Sequence, residues 1–301
     1  MDTTDRSPDE LLQTADQSFQ DRNIEQALLE YQTALESARS EFNRPVEVEA
    51  LAQIARMLLI LGKMDDGQKF LDEAAARANS EDSMGYSRFL GVKGRYEWKS
   101  AQLQQARFTF SEMFEYCTSH ELWSRGIDAA NMMAIVADDP NVQLEWSRRG
   151  IDLAEFNGVE SWLGPLWNNL GTTLFDQKNF EDALEAFVKA RDYHWRFSGE
   201  AAKLVADYHI GMTHRFLRDY DTARKWLRPV LAWAERIDNH NIIAQSLEDL
   251  GECDIAQGNQ ARGLELLERA KDEYEIDGAP DRIPEIYNAI CARITKLKTG
   301  K

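Results

Sequence analysis

Cysteine is scarce: three residues in 301, at 117, 253 and 291. An odd and scattered set builds no disulfide framework, and no two of them have metal-site spacing. They read as small apolar side chains of a reducing compartment. Proline (7) and glycine (17) are also few, which disfavours a turn-dense all-β fold and favours helices. Long apolar runs are missing too. The greasiest is the five-residue Met57-Leu58-Leu59-Ile60-Leu61, where a membrane helix needs about 20. The opening MDTTDRSPDELLQ lacks the basic and apolar regions of a secretory signal. Positive charge is in deficit, with 35 Lys and Arg against 52 Asp and Glu, a net charge of −17. Such a chain is a poor match for a phosphate backbone. The expectation is a cytoplasmic protein with no nucleic-acid partner and no membrane insertion.

What is present is a repeat. Hydrophobic residues make up 43% of the chain, including 13 Phe, 9 Tyr and 8 Trp, enough to exclude wholesale disorder. In residues 167–190, Trp167, Leu170, Leu174 and Phe175 follow a 3.6-residue period and predict one amphipathic helix. After a polar break at 176–179, Ala183, Phe187 and Ala190 form a second stripe. Gly171 and Ala183 lie where the two helices come closest, since a large side chain there would push them apart. The second-helix anchor recurs as Ala27, Gly67, Ala106, Gln143, Ala183, Ala223 and Gly263, in steps of 40, 39, 37, 40, 40 and 40. Twelve residues before six of these stand Ala15, Ala55, Gly94, Gly171, Gly211 and Gly251. A bulky residue follows most anchors by four: Tyr31, Leu71, Phe110, Phe187, Leu227 and Leu267.

Trp167, Leu170-Gly171, Leu174, Ala183, Phe187 and Ala190 resemble the tetratricopeptide repeat consensus, and the period of about 40 resembles the subgroup with lengthened helices. The resemblance implies an all-α, right-handed superhelical solenoid of about seven helix-turn-helix repeats with a C-terminal capping helix. We expect a tail at 1–7, the array at 8–279, and a capping helix with a basic tail at 280–301, including Lys296, Lys298 and Lys301. Ser7-Pro8-Asp9-Glu10 reads as a capping box. Two units depart from the pattern. In the third, Lys93 and Glu97 fall on core positions of the first helix, and the fourth is three residues short with Asp138-Asp139-Pro140 as its turn. Pro229 falls inside a helix and should kink it.

Signatures of chemistry are absent. There is no phosphate-binding loop, no G-x-S-x-G and no H-E-x-x-H. The five histidines (120, 194, 209, 214, 240) form no ligand pair at helical spacing. Asp65-Asp66 and Asp138-Asp139 are expected in turns. No catalytic residue, cofactor or metal is expected.

The tetratricopeptide resemblance instead implies partner binding, with the first helices lining a concave groove. Carried over residue by residue, it offers Arg56, Arg88, Arg95, Arg125, Asn168, Asn169, Thr172, Phe175, Tyr208, Met212 and Arg215. The five arginines contrast with the acidic chain, and a guanidinium suits carboxylate or phosphate. Two readings stand: a partner segment bearing acidic groups, or pairing with the array's own Asp and Glu. The expected function is a non-catalytic scaffold or adaptor binding a protein or peptide segment. The alternatives are a peptide-responsive regulator acting through a separate effector, and an enzyme or phosphatase built on the array.

Overall fold

A computed structural model describes residues 6–299 of the chain. Residues 1–5 of the expected tail and Lys301 lie outside that range. Among the described residues the secondary structure is helical throughout. The chain divides into two compact units, one through Val159 and one from Glu160.

The first unit holds four helical hairpins: α1 (Pro8–Gln20) with α2 (Ile24–Ser40), α3 (Arg44–Ile60) with α4 (Met64–Arg77), α5 (Ser83–Lys99) with α6 (Leu103–Ser119), and α7 (Trp123–Val136) with α8 (Pro140–Phe156). Helix α1 starts on the expected capping box: Ser7 Oγ accepts from the Glu10 amide while the Glu10 carboxylate accepts from the Ser7 amide. The second unit holds three more: α9 (Leu163–Asp176) with α10 (Phe180–Phe197), α11 (Glu200–Phe216) with α12 (Tyr220–Arg236), and α13 (His240–Ala256) with α14 (Gln260–Ile276). It ends in α15 (Ala279–Arg282) and α16 (Pro284–Thr299).

Small residues meet at the helix crossings. Ala15, Ala27, Ala55, Ala106, Ala183 and Ala223 are fully buried. A methyl group on Gly171 would lie 2.7 Å from the Phe187 ring, and one on Gly94 would lie 2.6 Å from Phe110. The absent side chain is thus what lets the next helix's aromatic ring seat, as the anchor spacing requires. The first helix of the third hairpin is therefore in the anticipated register. Lys93 and Glu97 escape the core by lying partly exposed, 3.8 Å apart.

A three-residue connection closes six of the hairpins, with its middle residue at positive φ: Arg22, Gly62, Ala101, Lys178, Arg218 and Gly258. Its amide and the next one bond back to the last turn of the preceding helix, as when Lys178 N–H donates to Phe175 O and Asn179 N–H to Leu174 O. The fourth hairpin replaces this turn with extended Ala137 and an Asp139 N-cap before Pro140, and its missing length lies in α7, which has 14 residues where α5 has 17.

Pro229 does lie inside a helix, α12, which runs from Tyr220 to Arg236. Two expectations need correction. Asp65 and Asp66 lie in the first turn of α4 rather than in the preceding turn, where the helix dipole favours carboxylates. The C-terminal cap is two helices, because Ile283 precedes Pro284 and takes φ −139°, away from helical values. Ile290 and Ile294 are buried against the second unit's core, whereas Ile286 stays exposed.

Candidate functional site

Within each unit first helices pack on one another as well as on their hairpin partners: α1 on α3, α3 on α5, α5 on α7, and α11 on α13. Their outward-facing sides therefore form a wall. Residues six and three before the small anchor, and one and four after it, share that side because 3.6 residues make a turn. Equivalent positions of neighbouring hairpins come side by side.

In the first unit this arrangement gathers arginines and carboxylates. Glu49 on α3 accepts from Arg88 on α5 at 3.2 Å and from Arg125 on α7 at 2.8 Å. Glu49 is only 4% exposed, so water screens these ion pairs little. Arg88 also lies 3.6 Å from Asp16. Arg125 donates further to Ser87 Oγ at 2.6 Å and to the Met84 carbonyl. Arg95 grips both oxygens of Asp128, at 2.7 and 2.9 Å. Burial opposes ionisation of Asp128, but Arg95 and Arg56 outweigh it and hold its pKa below the usual carboxylate value. Burial likewise works against the charge on Arg88, yet Glu49 and Asp16 raise its pKa overall.

Arg56 is the exception. It forms no ion pair with any described residue. Its guanidinium rests over the Phe19 ring, 4.7 Å from the centroid. Burial, reinforced by Arg95 and only partly offset by Asp128, pushes its pKa down to about 9. The carboxylate at the equivalent position of α1, Asp16, is engaged elsewhere: it accepts from Tyr31 Oη at 2.5 Å and from Gln53 Nε2 at 3.1 Å. A cavity of about 20 Å³ lies among Arg56, Arg88, Gly91, Arg95, Arg125 and Asp128, with room for about one water-sized group.

The second unit's wall has a different character. Asn168 Oδ1 accepts from His209 Nδ1–H at 2.8 Å. Burial, and then the nearby His194, push the His209 pKa down to about 4, so its ring is neutral. Thr172 is exposed, and its hydroxyl donates to the Asn168 carbonyl at 3.0 Å. Asn169 and Met212 are half-buried. Phe175 packs edge-on against Phe180 and Phe216, with ring centroids 5.1 and 4.8 Å away. Arg215 ion-pairs with Asp249 and lies 4.0 Å over Phe216. Tyr208, expected in the groove set, sits three before Gly211 on the same side as Asn168, but it is buried there and donates its hydroxyl to Asp249 of α13 at 2.9 Å. Burial raises the pKa values of Asp249 and Glu248 despite Arg215.

Four of the five arginines named from sequence are therefore held by the chain's own carboxylates: Arg88, Arg95, Arg125 and Arg215. The anchoring role of Asp16 was missed. The available signal was its place one residue after the Ala15 anchor, matching Arg56 after Ala55 and Arg95 after Gly94. Of eight tryptophans only Trp146 is buried, edge-on to Phe114 at 5.1 Å; Trp167 and Trp226 are half-buried. Among the described residues no group of three or more His, Cys, Asp or Glu is placed to hold a metal ion. None of the described helices is long and apolar enough to cross a membrane.

No curated protein matches the chain. Two solved structures share its fold along most of its length. One is a Signal Transduction ATPase with Numerous Domains (STAND) protein with a tetratricopeptide repeat sensor, from Pyrococcus horikoshii, at 14% identity and a TM-score of 0.73. The match covers 93% of this chain and only 44% of that protein. The other is the apo form of RapI, at 15% identity and a TM-score of 0.67, covering 89% of this chain and 76% of that one. A Rap protein complexed with Competence and Sporulation Factor aligns at 14% identity and a TM-score of 0.58, covering 89% and 77%. Tetratricopeptide repeat family models match residues 168–194 and 200–275, and the hairpins of both units follow the same small-residue plan. Residues 168–194 and 200–275 thus carry tetratricopeptide repeats, within a fold shared with tetratricopeptide repeat structures.

Proposed function

We propose that the chain is a non-catalytic scaffold, working without a cofactor, whose first-helix walls bind a segment of another protein bearing acidic groups. The observation that carries this reading is Arg56. A partly buried guanidinium without a counterion is costly, and its neighbours Arg88, Arg95 and Arg125 are already paired. A carboxylate from a partner would supply the missing charge and form the short, charge-assisted bonds for which arginine is suited. The paired arginines hold their positions in advance, so little side-chain entropy is lost on binding. In the second unit Asn168, Asn169 and Thr172, beside the Phe175–Phe216 pair, offer amide, hydroxyl and aromatic surface to an extended segment. Tyr208 and Arg215 support that wall from within. The likeness to a Rap protein complexed with Competence and Sporulation Factor supports a second reading. In it the bound segment changes the wall's shape and signals through a separate effector.

The test pairs binding with stability. Arg56→Met removes an uncompensated charge and should raise unfolding stability by about 1–3 kcal/mol. The same change should lower the yield from a photo-crosslinker at Leu59, on the wall one turn away. A crosslinker at exposed Lys69 on α4 serves as the control. If the two sites capture the same chains equally, and Arg56→Met alters neither, the wall is not the binding surface.

A further inference from the structure

We propose that a recess on the second unit, outside its first-helix wall, binds a phosphomonoester. The recess lies between α12 and the turn joining α13 to α14, and has a volume of about 730 Å³. That falls within the range of small-ligand sites, about 300–1,000 Å³. Its lining inverts the charge of the molecule. Four cations, Arg224, Lys225, Arg228 and Arg262, face two carboxylates, Asp221 and Asp254, in a chain whose net charge is −17.

The internal pairing leaves part of that charge unspent. Asp254 is buried at 5% exposure and is shared by two arginines, Arg224 at 2.7 Å and Arg262 at 3.2 Å. Arg224 is further fixed by Gln257 Oε1 at 2.7 Å and lies 3.5 Å from Asp221. Its side chain is only 12% exposed, so one fork is built into the wall of the recess and cannot swing away. Lys225 and Arg228 are exposed and form no ion pair with a described residue. The lining thus carries an excess of two positive charges. A phosphomonoester carries about −1.5 to −2 at neutral pH and three acceptor oxygens. A single carboxylate would satisfy only half of this excess, and the guanidinium fork suits phosphate equally well. Repulsion from the rest of the acidic chain is screened beyond about 8 Å at physiological salt.

A free phosphorylated metabolite and a phosphorylated side chain share this chemistry, so both are probed. The full chain, labelled for amide resonances, is titrated with inorganic phosphate and separately with a short phosphoserine peptide and its unphosphorylated form. Saturable shifts confined to residues 221–229 and 254–262 are expected with one or both phosphorylated probes and not with the unmodified peptide. Tighter binding of the peptide assigns the site to a modified protein segment, and equal binding assigns it to free phosphorylated compounds. Lys225→Glu with Arg228→Glu, both at exposed positions, should weaken binding about tenfold or more, whereas Lys69→Glu on the first unit should not. Absence of saturable shifts with both probes at millimolar concentration, or equal affinity in the folded double variant, overturns the proposal.

Discussion

The two units build the same wall from the same positions and give it opposite chemistry. One residue after the first-helix anchor stand Asp16, Arg56 and Arg95 in the first unit, and Thr172, Met212 and Glu252 in the second. In the first, arginines outnumber the carboxylates that hold them, and Arg56 is left over. In the second, Asp249 holds Arg215, and the Glu252 carboxylate takes Arg293 from α16 at 2.7 and 2.9 Å. Glu248 accepts from Tyr274 at 2.9 Å. The difference teaches that the repeat dictates where side chains are displayed, while the residues placed there decide what the wall can hold.

The sharpest way to break this comparison is to remove one carboxylate from each unit. Glu49→Ala leaves Arg125 without a carboxylate and Arg88 with only Asp16 at 3.6 Å, in a water-poor setting, and should destabilise the first unit by about 3–5 kcal/mol. Asp249→Asn should be milder. The amide oxygen can still accept from Tyr208, and Arg215 keeps its contact with the Phe216 ring. Urea unfolding followed by hydrogen exchange in each unit reads both effects. Equal losses would mean that the two walls do not differ in how they bear charge.

Acid should distinguish the units next. His209 is held neutral, with a pKa near 4 against an ordinary value of 6.5. Between those values the unfolded chain binds the proton more readily than the folded one. Stability from this group is therefore complete above pH 6.5 and lost as pH falls towards 4, by on the order of 2–3 kcal/mol. Asp249 and Glu248, with raised pKa values, act in the opposite sense, so the His209 share is read as the difference between the protein and His209→Gln. If that variant shows the same slope of stability against pH, the imidazole is not the source.

The smallest expected effect is local. Lys178 closes its hairpin at φ 63°, where a side chain is strained and glycine is not. Lys178→Gly should stabilise the second unit by about 1 kcal/mol or less, seen as a small rise in melting temperature. A fall would mean that the lysine side chain contributes contacts that outweigh the strain.

The turns show how far residues alone could be read. Gly62 and Gly258 announce their positive φ, but Arg22, Ala101, Lys178 and Arg218 occupy the same conformation without any marker. The strain of about 1 kcal/mol is small enough for packing of the flanking helices to override. The anchors were legible because their requirement is absolute: Gly94 and Gly171 each face an aromatic ring at a distance that leaves no room for a methyl group. The candidate wall was half legible. Its positions followed from the 3.6-residue period, but Tyr208 is buried against Asp249 of α13 and the cap broke at Ile283.

Helix pairing, its period and the face each first helix displays follow from side-chain size at fixed spacing, a local property that any stretch of this chain carries. The partners of the arginines do not. Glu49 meets Arg88 and Arg125 from positions 39 and 76 residues away, and Asp16 turns to Tyr31 and Gln53 rather than to Arg56. Ion pairing falls off with distance and with access to water, and both are set only once the helices have packed.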